Sequence, residues 1–207
     1  MLRVGLTGGI GCGKSIVAAR MRELGCYVLE ADRMAHRLIE PGQPAYDDVV
    51  REFGREILES HGQVIRAKLA EIVFADPARL ARLNAIVHPL VLGQVMTELD
   101  RLAPSDPEGV AVVEAALLIE AGYHDNLDRL IVVWCTPEQQ LARLTDAASG
   151  RGMTPEQARA RIAAQLSLQE KRKLADDEID CSGTMDQTLR QVTGLVERLK
   201  RLAVAAI

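Results

Sequence analysis

Apolar residues along this chain fall into two patterns that alternate. Four short runs read as strands, "LRVGLTG", "CYVLEAD", "VAVVEAALLI" and "RLIVVWC", and the last two are almost continuously apolar. Runs of this length without regular polar alternation predict strands covered on both faces, as in a parallel sheet. "DDEIDCSG" has room for a short fifth strand. Elsewhere the apolar positions recur at helical spacing. "KSIVAARMREL" places Val17, Met21 and Leu24 on one side, and Gly25 predicts its end. "TPEQQLARLTDA" predicts a helix with Thr136 as its N-cap and Pro137 in the first position. "TPEQARARIAAQLSLQEKRKLA" reads as one helix, and "TLRQVTGLVERLKRLAVAA" as a final amphipathic one.

The opening order of strand, glycine loop, helix and strand is a βαβ unit, which requires a parallel sheet. After the second strand the pattern changes. Residues 33–104 hold "EPGQPAYDDVVREFG", "VIRAKLAEIVFAD" and "PARLARLNAIVHPLVLGQVMTELDRL", all helical patterns with little strand signal. The polar stretch "APSDPEG" then returns the chain to the sheet. The expected architecture is an α/β core of residues 1–32 and 105–207 with a helical insertion of residues 33–104. The glycine-containing break "ASGRGM", with Arg143, Arg151, Arg159 and Arg161 around it, predicts a lid near residues 147–157.

At 207 residues the chain can bury one good core with a smaller subdomain. A net charge of −4 argues against a general binder of nucleic acid or membrane surfaces, which carries a basic excess. An aromatic content of 3% argues against base-stacking platforms. Cys12, Cys26, Cys135 and Cys181 are scattered, with no C-x-x-C, so reduced thiols fit better than a zinc site or disulfide framework. No apolar run reaches membrane-spanning length, and the first strand begins at once, leaving no room for a signal peptide. A cytoplasmic protein with no obligate protein partner is expected.

The stretch "LTGGIGCGKSIV" carries the chemistry. Gly8-x-x-x-x-Gly13-Lys14-Ser15 satisfies the P-loop pattern, and it lies between a predicted strand and a predicted helix, as that pattern requires. Glycines let backbone N–H groups approach phosphate oxygens, and the following helix aims its positive end at them. Gly11, Cys12, Gly13, Lys14, Ser15 and Ile16 are therefore the candidate ATP-binding residues, with Lys14 charged against the β- and γ-phosphates and Ser15 a ligand for Mg²⁺. A dinucleotide-binding G-x-G-x-x-G from Gly9 would need glycine at the position of Lys14. The fold this motif implies is a P-loop nucleotide-kinase-like three-layer α/β fold.

Among P-loop proteins, a GTPase would carry N-K-x-D, which is absent, and a motor ATPase a Walker-B aspartate after a strand, where "VAVVEAALLIE" offers only Glu114 and Glu120. A small kinase needs an acceptor-binding insertion and an arginine-bearing lid, and both patterns are present. Asp32, beyond the second strand, is the candidate base for an alcohol acceptor. A helix cap or an indirect role at Mg²⁺ are its other readings.

The chain resembles the dephospho-coenzyme A kinase family through "LTGGIGCGKS", "EADRMAHRLIEPGQPA", "FGREIL" with "RAKLAEIVF", "LNAIVHP", "ALLIEAG", "QQLARL", and "RIAAQLSLQEKRKLAD" with "IDCSG". The resemblance implies ATP-dependent phosphorylation of the ribose 3′-hydroxyl of dephospho-coenzyme A. It also implies a catalytic role for Asp32 and Lys14, substrate-domain roles for Asp32, Arg66 and His88, and phosphate contacts from Arg143 and, by analogy, Arg151. Kinases for another alcohol or nucleoside, or a silent ATP sensor, are the alternatives. The chain departs from the family pattern at several places. Glu30 precedes Ala31-Asp32 where aspartate is usual, and Ile16 replaces threonine. Ala116 replaces proline, Cys181 replaces asparagine, and the lid is longer. Cys12 stands where serine is more usual, and a thiol beside Lys14 at a helix start is expected in an electropositive setting that favours the thiolate.

Overall fold

The computed structural model describes residues 1–147 and 152–205. Five strands form one parallel sheet: β1 (Leu2–Gly8), β2 (Tyr27–Glu30), β3 (Val110–Glu114), β4 (Arg129–Trp134) and β5 (Asp177–Asp180). Their order across the sheet is β2-β3-β1-β4-β5, so β1 lies at the centre. Ala111, Val112 and Val113 are all fully buried. Successive strand side chains point to opposite faces, so helices and loops must cover both sides of the sheet.

The chain divides into two compact units, residues 1–30 with 99–207, and residues 31–98. In the first, α1 (Lys14–Glu23) and α9 (Met185–Ala205) share one apolar cluster with the sheet. Val17 and Met21 of α1 meet Val192, Leu195 and Leu199 of α9 over Val4, Leu6, Val112, Ile131 and Val133. Each such side chain, fully buried, contributes about 1.5–3 kcal/mol. The same unit holds α6 (Pro137–Thr145), α7 (Pro155–Ala163) and α8 (Leu168–Lys173). Thr136 caps α6 as its sequence predicts, its hydroxyl accepting from the Gln139 N–H while the Gln139 side chain accepts from the Thr136 N–H.

The second unit is helical: α2 (Ala31–Leu38), α3 (Tyr46–Phe53), a 3₁₀ turn over Arg55–Ile57, α4 (Arg66–Ala75) and most of α5 (Pro77–Leu102). Val49, Phe53, Ile57, Leu69 and Val73 are buried in it. α5 continues through Pro89 and beyond residue 98 into the first unit.

Three elements differ from expectation. The single helix expected from "TPEQARARIAAQLSLQEKRKLA" is broken into α7 and α8. Ser167 starts α8 with a capping box to Glu170, and that local hydrogen bonding outweighs the helical periodicity running through it. β3 ends at Glu114 rather than running to Ile119: Ala115 still donates to the Leu6 carbonyl, but Ala121 then bonds back to Leu117 in a tight turn. β2 ends at Glu30 and α2 begins immediately, so Asp32 is the second residue of a helix. No helix among the described residues is long and apolar enough to cross a membrane.

Candidate active site

The loop between β1 and α1 is shaped by where a side chain cannot go. At Gly8 a Cβ would lie 2.1 Å from the Val133 carbonyl oxygen of the neighbouring strand, so β1 and β4 meet there only through bare backbone. Gly13, with φ +102°, is the N-cap of α1 in a left-handed conformation that L side chains rarely adopt. Its carbonyl accepts from Ile16 (3.0 Å) and Val17 (3.3 Å), closing the first turn.

The loop is braced from behind. Gln165 accepts from the Ile10 N–H at 2.9 Å, and the buried Gln140 donates to the Ile10 carbonyl at 2.8 Å, so the two peptide groups flanking the Ile10 Cα are each held by a glutamine. Cys12 donates its N–H to Gly9 at 3.2 Å. Lys14 folds back over the loop, its Nζ donating to the carbonyls of Gly8 (3.1 Å) and Gly9 (3.2 Å). These bonds sort the loop's donors. The N–H groups of Ile10, Cys12 and Ile16 are engaged inside the protein, whereas among the described residues those of Gly11, Gly13 and Ser15 make no hydrogen bond. Three unmatched N–H groups at the positive end of α1 form a cradle for an anion. The N–H groups of Cys12 and Ile16, expected to serve phosphate, donate here to the carbonyls of Gly9 and Gly13.

Arg143 of α6 reaches the same region, its Nη2 donating to the Cys181 carbonyl at 2.7 Å. Cys181, just beyond β5, lies under the loop: a Cβ on Gly13 would sit 3.3 Å from its sulfur. Cys12 is fully buried, its Sγ 3.4 Å from that of Cys135 at the end of β4. The hydrogen bond from Cys135 holds the Cys12 thiol down to about 7, against burial, with the charges of Lys14 and Arg143 helping. The same hydrogen bond, followed by burial, pushes Cys135 up. Of the two, Cys12 is the acceptor and the more acidic thiol, and Cys135 the donor. The thiolate character expected at Cys12 therefore has its main source in a buried partner thiol, and the surrounding cations come second.

Lys171 is a residue the periodicity hid. It is fully buried in α8, donates to the Ala116 carbonyl at 2.8 Å, and pairs with Glu120 at 2.9 Å. Glu120 also accepts from the Leu166 N–H at 2.9 Å. The Thr7 hydroxyl approaches the same Ala116 carbonyl at 3.4 Å, so the buried Lys171 ties the segment after β3 to the base of the loop. Gln140, Gln165 and Lys171 all lie within stretches quoted above or beside them. Yet nothing in their spacing marks them as loop supports, because each acts across more than 50 residues of chain.

In the second unit Asp32 is exposed in the first turn of α2, two residues beyond the end of β2. Arg66 opens α4 and is exposed, its Nη2 3.4 Å from Glu40. His36 lies near both charges: desolvation of the ring holds it below its usual value, Arg66 adds to this, and Asp32 opposes it. The residue is still exposed, so solvent screens those two Coulomb contributions. His88 is half-buried in α5, immediately before Pro89. The structure thus groups Gly11, Cys12, Gly13, Lys14, Ser15 and Ile16 with Arg143 in one unit, and Asp32 with Arg66 in the other. Arg151 lies outside the described residues.

An oxygen-donor hydroxyl such as that of Ser15, exposed in the first turn of α1, suits a hard ion like Mg²⁺, which takes few protein ligands and fills its shell from phosphate and water.

The family model described as dephospho-CoA kinase matches residues 2–187. The dephospho-CoA kinase of Thermobifida fusca is 46% identical over 201 residues, covering 97% of this chain and 98% of that protein. A crystal structure from Thermus thermophilus superposes with a TM-score of 0.79 at 34% identity, covering 95% of this chain and 96% of its own. The dephospho-CoA kinase from Campylobacter jejuni has the same fold, with a TM-score of 0.70 at 24% identity over 96% of each chain. Matched almost from end to end, and nearly half identical to one such kinase, the chain belongs to the dephospho-CoA kinase family.

Proposed function

We propose that this protein transfers the γ-phosphoryl group of ATP to the ribose 3′-hydroxyl of dephospho-CoA, giving CoA and ADP. The observation that carries the reading is the loop itself, whose N–H groups at Gly11, Gly13 and Ser15 are left unmatched at the start of α1, with the amine of Lys14 folded across it. Three unmatched donors within five residues suit the oxygens of a polyphosphate, and the Lys14 charge is able to move from two neutral carbonyls to an anion, a stronger partner. Arg143 supplies a second cation on the α6 side.

Mg²⁺, held by Ser15 and the phosphates, would neutralise charge on the transferring group. Asp32 takes the proton of the attacking hydroxyl. A helix cap is its weaker reading, since it occupies the second helical position and not the N-cap. Arg66, His36 and Lys68, with His88 on α5, supply the acceptor side, where guanidinium and ammonium groups can pair with the diphosphate of dephospho-CoA. The four free cysteines fit a reducing compartment, which points to the cytoplasm.

The test is ADP release in Mg·ATP with dephospho-CoA, adenosine or a nucleoside monophosphate as acceptor. Turnover with dephospho-CoA alone is expected. Comparable kcat/KM for adenosine would refute diphosphate recognition, and ATP binding without turnover on any acceptor would favour a sensor.

A further inference from the structure

The Cys12–Cys135 contact has no part in phosphoryl transfer. The two sulfurs come from places 123 residues apart and are 3.4 Å from one another. Cys135 donates to Cys12, which is the partner that more readily gives up its proton. A thiolate beside a thiol is the arrangement from which a disulfide forms, since one sulfur is nucleophilic and the other is already within reach. Bonding them requires the sulfurs to close to about 2 Å. Cys12 lies between Gly11 and Gly13, both at positive φ, in the segment that presents the unmatched N–H groups.

We infer that Cys12 and Cys135 form an oxidative modification site in which a hydroperoxide converts the pair into a disulfide that fixes the loop and excludes nucleotide. In the first step the Cys12 thiolate attacks one peroxide oxygen. An S–O bond forms, the O–O bond breaks, and the departing oxygen takes a proton and leaves as alcohol or water. Cys12 is then a sulfenic acid. In the second step Cys135 gives up its proton and its sulfur attacks that of Cys12. The S–S bond forms, the S–O bond breaks, and water leaves. Two electrons pass from the two sulfurs to the peroxide, and a thiol reductant reverses the change.

Burial sets the kinetics. Cys12 is 0% and Cys135 2% exposed, so the oxidant enters only when the glycine loop lifts. A bound nucleotide holds the loop down and protects the pair. Cys181, whose sulfur underlies Gly13, is the competing partner on the opposite side of the loop. Its thiol is pushed up by burial, which makes it the poorer first nucleophile.

The test uses the full chain, reduced and then exposed to hydrogen peroxide with and without Mg·ATP. Remaining thiols are blocked under denaturing conditions, disulfides are reduced and labelled with a heavier reagent, and peptides are mapped by mass. The expected result is paired labelling at Cys12 and Cys135, suppressed by Mg·ATP. ATP affinity should fall by more than about tenfold, the scale of displacing one or more hydrogen bonds to a charged group, and recover with dithiothreitol. Cys135→Ser should keep basal ATP binding and stop at a Cys12 sulfenic acid that dimedone traps. If that variant fails to fold, the mapping of the unaltered chain decides alone. A Cys12–Cys181 bond, no oxidation of Cys12, or a Cys12–Cys135 bond with unchanged ATP affinity would each overturn the inference. None of these readouts depends on which acceptor the enzyme phosphorylates.

Discussion

The loop between β1 and α1 is pinned at several points, whereas the charged groups of the helical unit that carry the candidate chemistry lie exposed over its apolar core. Ile10 is held by a glutamine at its N–H and by another at its carbonyl, and Gly8 touches the neighbouring strand where no side chain fits. Asp32 and Arg66, by contrast, are exposed, and the ion pair of Arg66 with Glu40 spans 3.4 Å. On the function proposed, the groups that meet the polyphosphate are held in advance, whereas exposed groups such as Asp32 and Arg66 would be ordered by the acceptor, since exposed ion pairs alone hold little.

The largest effect should come from the exposed side. Asp32→Asn is expected to lower turnover by roughly two to four orders of magnitude with ATP affinity unchanged, as loss of a general base does. Near-normal turnover with ATP binding intact would reduce Asp32 to a surface carboxylate and erase half of the contrast. On the rigid side, Lys171→Met removes a buried cation that donates to the Ala116 carbonyl and to Glu120, and losing two hydrogen bonds from a charged donor should cost about 3 kcal/mol in denaturant unfolding. Gly8→Ala drives a methyl into the Val133 carbonyl, and a loss on the order of 3 kcal/mol, with ATP binding weakened in the same variant, is expected. A stable Gly8→Ala protein with ordinary ATP affinity would show the loop to be softer than its hydrogen bonds imply.

How much of this was readable beforehand follows the same division. The strand, loop and helix around Lys14 were legible because the glycine spacing and the apolar periods coincide at one place. The capping box at Thr136 was legible for a similar reason, since a single short segment holds all its atoms. The start of α8 carries the same S-x-x-E signal at Ser167, but the apolar spacing continues across it and masks the break. Long-range neighbours were not legible at all. Nothing near Cys12 in the sequence announces Cys135, and nothing near Ile10 announces Gln165, because sheet order alone brings them together. Residues such as Arg66 and His88 stood out only through the family resemblance, since an exposed arginine on a helix looks the same with or without a ligand.

Two smaller effects would sharpen the comparison. Arg66→Ala should raise KM for dephospho-CoA by about tenfold, the scale of one charge-assisted contact, and leave KM for ATP alone. An equal rise in both would mean that the two units do not divide the substrates between them. The least effect is expected from His36, whose value in the folded protein lies below 6.5. As pH falls below 6.5 the unfolded chain binds the proton first, so stability present above that pH is lost as the folded value is passed. His36→Gln should flatten that part of the acid unfolding profile. An unchanged slope would assign the acid sensitivity elsewhere.

The place of β1 at the centre of the sheet governs when the site comes into being. Leu2 pairs with Val110 and Val4 with Arg129, partners made more than about a hundred residues later by the ribosome. The phosphate loop is therefore among the first segments synthesised and among the last to acquire its shape, after the whole helical unit has emerged. Pairings of such separation slow folding and leave strand edges open meanwhile. A nascent chain that has already passed residue 100 still has no means of gripping ATP, so nucleotide binding reports completion of the sheet itself.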